Sequence, residues 1–393
     1  MIYLPLKELL DLSDSGVWGD EDTESGISVL RSTNFRSNGT LDFTKLSFRA
    51  VEERKRSAKT LEVGDILLEK SGGGPQQPVG RVCLYRGHVI PHSFGNFIAR
   101  LRPKDQILSE FLFYFLWYFH AIGKTSHYQK QTTGIRNLET QRFFTIDVPV
   151  PPLPEQRRIV DLLSRADGIV RLRREAQKKA AELIPAIFLE MFGDPRTNPK
   201  GWPVQPLGEV AAFISGGTPP KAREELWSGT LPWVSPKDMK VDCIADAIDH
   251  VSDSVLTATN LKLVPIGSIL IVVRGMILVH TVPIAITSTP VTINQDMKAL
   301  MPIKSIDPSF LLWALKVQHP KLLALVDTAA HGTKKLDTEK IQAVGIPVPP
   351  LQIQQQFIAR ADSVASIIAQ QAEASSMAKA SFDALLANVF AEV

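Results

Sequence analysis

Residues 148–160 read VPVPPLPEQRRIV, and residues 346–358 read IPVPPLQIQQQFI. The proline-rich hexamer recurs at an offset of 198, and each copy opens a long helical pattern. Three further pairs keep the same order. Gly134–Leu138 (GIRNL) matches Gly332–Leu336 (GTKKL) at 198, Phe111–Leu116 (FLFYFL) matches Phe310–Leu315 (FLLWAL) at 199, and Gly64–Leu67 (GDIL) matches Gly267–Leu270 (GSIL) at 203. One such match arises by chance; four collinear ones imply two copies of a unit of about 195 residues. The 393 residues are close to twice that offset.

Each unit divides again. Its first 150 or so residues mix short β-type runs, such as Val63–Glu69 and Ser268–Arg274, with turns rich in Gly, Pro, Ser and Asn. One helix lies among them, at Leu108–His120 or Ser309–Val317. The proline clusters at 149–154 and 347–351 read as stiff, extended hinges, because proline fixes φ and lacks an N–H. After each hinge, apolar positions recur at alternating spacings of four and three. The first seam is Ile159, Leu163, Ala166, Val170, Arg173, Gln177, Ala180, Ile184, Ile187, Met191. The second is Phe357, Ala361, Val364, Ile368, Gln371, Ser375, Ala378, Phe382, Leu385, Val389. Both are coiled-coil seams with polar residues near the middle, which suits an intramolecular pair; the seams alone leave the direction of pairing open. Forty helical residues span about 60 Å, so the helices project from their domains. Pro185 predicts a bend near 181–184, since interior proline breaks a helix.

The expected fold is α+β: two globular mixed α/β domains in tandem repeat, each followed by a long helix, the two helices pairing with each other. The expected boundaries are 1–150 for the first domain, 151–193 for the first hinge and helix, 194–348 for the second domain and 349–393 for the second hinge and helix.

Composition narrows the chemistry. The chain is 44% hydrophobic and 22% charged, ordinary for a globular protein. Its net charge of +3 hides an uneven distribution: residues 31–142 carry 18 basic and 9 acidic side chains, whereas residues 201–393 carry 15 and 17. Cys83 and Cys243 form no metal or redox motif and read as small buried hydrophobes. The N-terminus has no signal-peptide pattern, and FLFYFLWYF (111–119) is too short to span a membrane, so a soluble cytoplasmic protein is expected. There is no phosphate-binding loop, no methyl-donor loop and no nucleophile elbow. His88 and His92 have a metal-like spacing, but Val89-Ile90-Pro91 between them argues against a helix and so against a metal site. No cofactor and no metal are expected.

Several pieces resemble a known family. They are PLPEQRRIV (152–160), EMFGDPRTNPKGWPVQPLGEV (190–210), SGGTPPKAREELWSGTLPWVSPKDM (215–239), NQDMKAL (294–300) and PVPPLQIQQQFI (347–358). Together they resemble the specificity subunit, HsdS, of type I restriction–modification systems, over nearly the whole chain. The first domain departs from the pattern, with Ser15-Gly16-Val17-Trp18-Gly19 where Gly-Gly-Thr-Pro is expected. The second helix lacks the Glu that stands at 155, so its N-terminal cap is expected to differ. The resemblance implies a non-catalytic subunit whose two domains each read half of a split double-stranded DNA site. It implies two target-recognition domains whose helices form an antiparallel coiled coil that sets the spacing and docks two methyltransferase subunits, with motor-nuclease subunits joining for restriction. A duplicated protein-binding scaffold and a methyltransferase in its own right are the alternatives.

Base readout needs Arg or Lys for guanine, Asn or Gln for adenine, and hydroxyl or apolar groups for thymine. Phosphate contact needs cations, hydroxyls and free N–H groups. The loops that combine these offer Arg31, Thr33, Asn34, Arg36, Lys70, Ser71, Gly72, Lys130, Thr132, Thr133 and Arg136 in the first domain. In the second they offer Ser235, Lys237, Arg274, His331, Thr333, Lys334 and Lys335. Arg54-Lys55-Arg56 reads as a solvated face.

Overall fold

A computed structural model describes residues 2–74, 77–132, 135–328 and 332–391. The chain forms two compact units: Met1–Arg174 with Ala374–Val393, and Glu175–Glu373. The helices that matter here are α1 (Ser109–Ala121), α2 (Leu153–Ala181), α3 (Leu183–Phe192), α4 (Pro308–Val317) and α5 (Leu351–Phe390).

The two units repeat one architecture. In the first, an antiparallel sheet has the order Leu10–Ser15, Ile98–Pro103, Ile66–Glu69, Val82–Leu84. In the second the order is Ala211–Ser215, Met297–Pro302, Ile269–Val272, Ile284–Thr287, with Cys243–Ile244 added in parallel. The central strands, ILLE and ILIV, are buried along their whole length, as apolar runs between turns should be. The turns before them need glycine, since Gly64 and Gly267 sit at φ +95° and +79°. A second, three-stranded sheet also recurs, with Ile27–Leu30 or Leu231–Val234 at its centre and a parallel partner at His92–Phe94 or Thr292–Ile293.

The proline clusters are extended but are not free polyproline. Asp147–Val150 pairs with Ile2–Pro5, and Gly345–Pro347 pairs with Val204–Pro206, each pair forming its own two-stranded ribbon. The helix starts are held by a device the sequence reading missed. Gln156 is fully buried; its carbonyl oxygen accepts from Leu108 N at 2.8 Å, and its amide donates to Gln106 O and Pro151 O. Gln354 repeats all three bonds, to Asp307 N at 2.9 Å, Ser305 O and Pro349 O. Each glutamine satisfies an orphan N–H at the entrance of α1 or α4 and ties that entrance to the long helix. Glu155, expected to cap α2, instead pairs with Arg158 at 2.6 Å on the surface.

Within the first unit, Ile159, Leu163 and Val170 of α2 share a core with Phe382, and Leu385 and Val389 are half-buried against it. The start of α2 reaches the start of α1 through Gln156, whereas Phe390 of α5 lies on Phe111 and Phe115. Asp167 and Arg171 share a cavity wall with Phe382, so α2 and α5 run antiparallel here. In the second unit Ile184 of α3 is buried in one core with Phe357, while Ile187, Val364 and Ile368 are half-buried. The polar seam positions Arg173, Gln177 and Gln371 are half-buried. At both ends the seam drifts. The most buried positions step by four, as Ile184, Phe188, Phe192 and as Phe382, Leu386, Phe390. These segments are straight ridges packed on a globular domain, so their period is that of a plain helix and not of a supercoil. The helix breaks at Glu182, because Pro185 has no N–H to offer the carbonyl of Ala181.

Candidate nucleic-acid interface

The candidate loops of each unit meet at one edge. In the first unit, Ile27–Leu30 ends in the turn Arg31-Ser32-Thr33-Asn34, closed by Asn34 Oδ1 accepting from Arg31 N at 2.9 Å. The Asn34 amide donates to Asp42 O and Lys45 O, and the residue is buried. Asn34 is therefore a loop-holding residue and leaves the set of base readers. Its binding capacity is spent locally, as asparagine in turns commonly spends it. Arg36 is likewise engaged, by Thr33 O at 3.2 Å and by the Asp42 carboxylate. Arg31 and Thr33 face solvent.

Below the turn lies a buried ion pair. Arg81 makes two bonds to Glu69, at 2.7 and 2.6 Å, and donates to Ser32 O at 3.1 Å and Phe35 O at 3.4 Å. The Glu69 bond raises the pKa of the guanidinium. The next segment adds Lys70, whose ammonium donates to Ser15 Oγ at 2.5 Å and whose pKa is lowered by burial, with Lys59 adding to it. Ser71 bonds the Asn137 side chain. Gly72, at φ +97°, brings the backbone against Phe97. Arg136 stands half-buried on Ile135–Leu138, which pairs with Ser71–Gly73. Lys130 pairs with Glu139 at 2.6 Å. Thr132 lies on the neighbouring strand Gln129–Thr132, and Thr133 lies outside the described residues.

Between these segments is a cleft of about 290 Å³, lined among others by Trp18, Arg31, Thr33, Arg49, Gly72 and Phe97. Trp18 is 73% exposed and Phe97 47% exposed. The Arg49 guanidinium sits 5.8 Å from the centre of the Trp18 ring. An exposed aromatic with a cation over its face, beside a second free arginine, suits stacked bases and phosphates. Trp18, Arg49 and Phe97 were not among the candidates. The available signal was Trp18 itself, a large aromatic between two glycines where a Gly-Thr pair was expected.

The second unit builds the same edge from different side chains. Ser235 N and Oγ both donate to Asp238 Oδ2, at 2.8 and 2.9 Å, which reproduces the Arg31–Asn34 turn. Ser235 is buried with its hydroxyl engaged, so it too leaves the set of base readers. Leu336 N donates to Val273 O at 2.8 Å, as Leu138 N does to Lys70 O at 2.8 Å. Arg136 and Lys334 therefore hold equivalent places. Gly16 and Gly216 are equivalent as well, since a Cβ there would lie 2.0 Å from Phe94 O or 1.9 Å from Asn294 O. The cations differ from those of the first unit. Lys237 pairs with Asp249 at 2.6 Å, which raises its pKa. Lys335 pairs with Asp337 at 3.1 Å, and Lys334 donates to Thr328 Oγ1 at 2.6 Å. Thr333 is half-buried, Arg274 is exposed, and His331 lies outside the described residues.

No group of three His, Cys, Asp or Glu suited to a metal occurs among the described residues. His92 instead bonds Ser28 Oγ at 2.7 Å beneath the edge, and burial, aided by His88, lowers its pKa to about 4. The unfolded chain protonates His92 near 6.5, so between pH 6.5 and 4 it binds more protons than the folded one. Stability contributed by neutral His92 is full above 6.5 and falls with pH through that window, by up to about 1.4 kcal/mol per pH unit. Urea unfolding at pH 7.5 and 5.5 should show the loss, and His92→Gln should remove about half of it, since burial lowers the pKa of His120 to about 4 as well. Cys83 is buried, with its thiol pushed up to about 12, whereas Cys243 is exposed on a short edge strand, contrary to the expected burial.

Among the described residues no helix is long and apolar enough to cross a membrane. A sequence profile of the type I restriction modification DNA specificity domain matches residues 21–182 and again 199–373. The type I restriction enzyme EcoR124I/EcoR124II specificity subunit of Escherichia coli is 30% identical over 221 residues, 54% of each chain, so this match spans about half of that relative. The putative type I restriction enzyme MjaX specificity subunit of Methanocaldococcus jannaschii is 24% identical over 92% of this chain and 86% of its own. A solved chain from work on complex assembly and conformational transition of the type I R-M system shares the fold, with a TM-score of 0.60, 22% identity and coverage of 99% of this chain and 97% of its own. With two specificity domains spanning most of its length, each carrying the same convergent edge, the chain belongs to the type I restriction modification DNA specificity family.

Proposed function

We propose that this chain is the non-catalytic sequence-reading subunit of a cytoplasmic type I restriction–modification complex. Residues 1–150 and 194–348 each read one half of a split, asymmetric duplex site. The segments 151–193 and 349–393 set the distance between the halves and dock two methyltransferase subunits; motor-nuclease subunits join the full complex. No cofactor is assigned to this chain. The observation that carries the reading is the duplicated edge, where loops of each unit converge with exposed Arg, Thr and Gly. The divergence of the two edges supports two different half-sites: Arg31 against Ser235, Phe97 against Asp296, Trp18 against Thr218. Half-sites about one turn, roughly 34 Å, apart face one side of the duplex. A helix of 40 residues such as α5, about 60 Å long, is ample to impose such a spacing.

Methylation sequencing of cells carrying this gene with its methyltransferase tests the reading. The expected result is one asymmetric motif of two short halves separated by unspecified bases. A continuous palindrome, or no methylated motif, would overturn it.

A further inference from the structure

Most cations on the reading loops of the second unit are already engaged, although Lys221 and Lys240 stand exposed beside them. Lys237, Lys335 and Lys340 are paired with Asp249, Asp337 and Asp327 at 2.6, 3.1 and 2.5 Å, and Lys334 is bound to Thr328. Among the described residues of this edge, Arg274 is exposed and has no side-chain partner. Immediately after it the chain makes a tight turn, Met276–Val279, entered through Gly275 at φ +131°. Leu278 is buried and roots the turn, while Met276, Ile277 and Val279 are 62%, 41% and 43% exposed. Gly275 N donates to Lys334 O at 3.0 Å, and Ile277 lines a cavity of about 500 Å³ with Pro236 of the turn that corresponds to Arg31–Asn34 and with Met239 and Lys240 just after it. The apolar turn is thus continuous with the reading loops on both sides. It stands next to the position of Gly72, which opens the cleft of the first unit.

We infer that the second recognition domain reads its half-site through apolar contact with thymine methyl groups, made by the Met276–Val279 turn. The inference rests on the function proposed above and names the chemistry of one half of it. An apolar group against the C5-methyl of thymine is a direct major-groove contact that needs no charge. The ion-paired lysines gain less from phosphates than free ones would, because each exchanges one anionic partner for another. Exposed apolar side chains on a rooted turn, which would otherwise face water, gain by burial against the base edge. The paired lysines, the free apolar turn and its place in the edge therefore have one explanation.

The test uses the assembled complex with its methyltransferase subunits and a duplex carrying the motif found by methylation sequencing. Each thymine of both half-sites is replaced in turn by deoxyuridine, which removes only the methyl group, and the dissociation constant is measured. One half-site should show a loss of about fourfold per contacted methyl, the worth of one buried methyl-sized group. In the Met276→Ser/Ile277→Ser variant that penalty should vanish in the same half-site and persist elsewhere. Its binding to random duplex should stay within about twofold, which also shows that the variant is folded. Equal binding of thymine and uracil duplexes by the unaltered protein, a persistent penalty in the variant, or half-sites without thymine on either strand would overturn the inference while the proposed function stands. Absence of any sequence-specific duplex binding would remove the proposed function and the inference with it.

Discussion

Replacing Glu69 by alanine is expected to destabilise the first unit by about 3–5 kcal/mol, the usual cost of leaving one member of a buried ion pair alone. Glu69 ends a fully buried strand, and Arg81 reaches it with two short bonds. Without the carboxylate, a partly buried guanidinium loses its counter-charge and the two bonds that hold it under Ser32 O and Phe35 O. Arg81 would turn toward solvent, and the Arg31–Asn34 turn would lose the support beneath it. The double variant Glu69→Leu/Arg81→Met separates the two consequences. An apolar pair of similar volume should recover most of the stability. It should not recover duplex affinity, because nothing then holds the Ser32 carbonyl. Urea unfolding and duplex titration of the same proteins decide the matter. A Glu69→Ala protein as stable as the parent would show that the pair is not an anchor.

The second large effect concerns binding. Arg31→Ala together with Arg49→Ala should weaken duplex binding for every sequence and lower the log–log salt slope by about 1.8, since each phosphate contact contributes about 0.9. Both residues line the cleft beside Trp18, and neither is committed to a carboxylate there. Lys334→Ala with Lys335→Ala in the second unit should change the slope by clearly less, because Lys335 already holds Asp337. Titrations between 50 and 200 mM salt would show the contrast. Equal slopes for the two double variants would contradict the view that the first unit carries most of the electrostatic grip.

Much of this could be read from the sequence because duplication makes a signal that single residues lack. Ile135–Leu138 and Thr333–Leu336, matched at one offset, do occupy equivalent places, and Pro185 does break its helix. What escaped were the partners of polar side chains. Asn34 and Ser235 have the residue types of base readers, but the same donors and acceptors close turns, and only geometry tells the two uses apart. The carboxylates that hold Lys130 and Lys237 lie nine and twelve residues further on, so these cations looked free in one dimension, whereas the partner of Lys335 is only two residues away. Gln156 and Gln354 stood in plain view at the same offset as the prolines. Their role depends on loops some 50 residues earlier, which no local pattern reveals.

The packing of Phe382, Leu386 and Phe390 into the first unit has a consequence for how the protein is made. These residues are synthesised after Glu175–Glu373, a stretch of 199 residues that forms the other unit. At elongation speeds of about 5–20 residues per second, that stretch takes about 10–40 s to emerge. During that interval Phe111 and Phe115 lack the aromatic ring that later covers them. The unit begun first on the ribosome is therefore completed last, and in the meantime it presents to chaperones a surface that only its own distant segment can close.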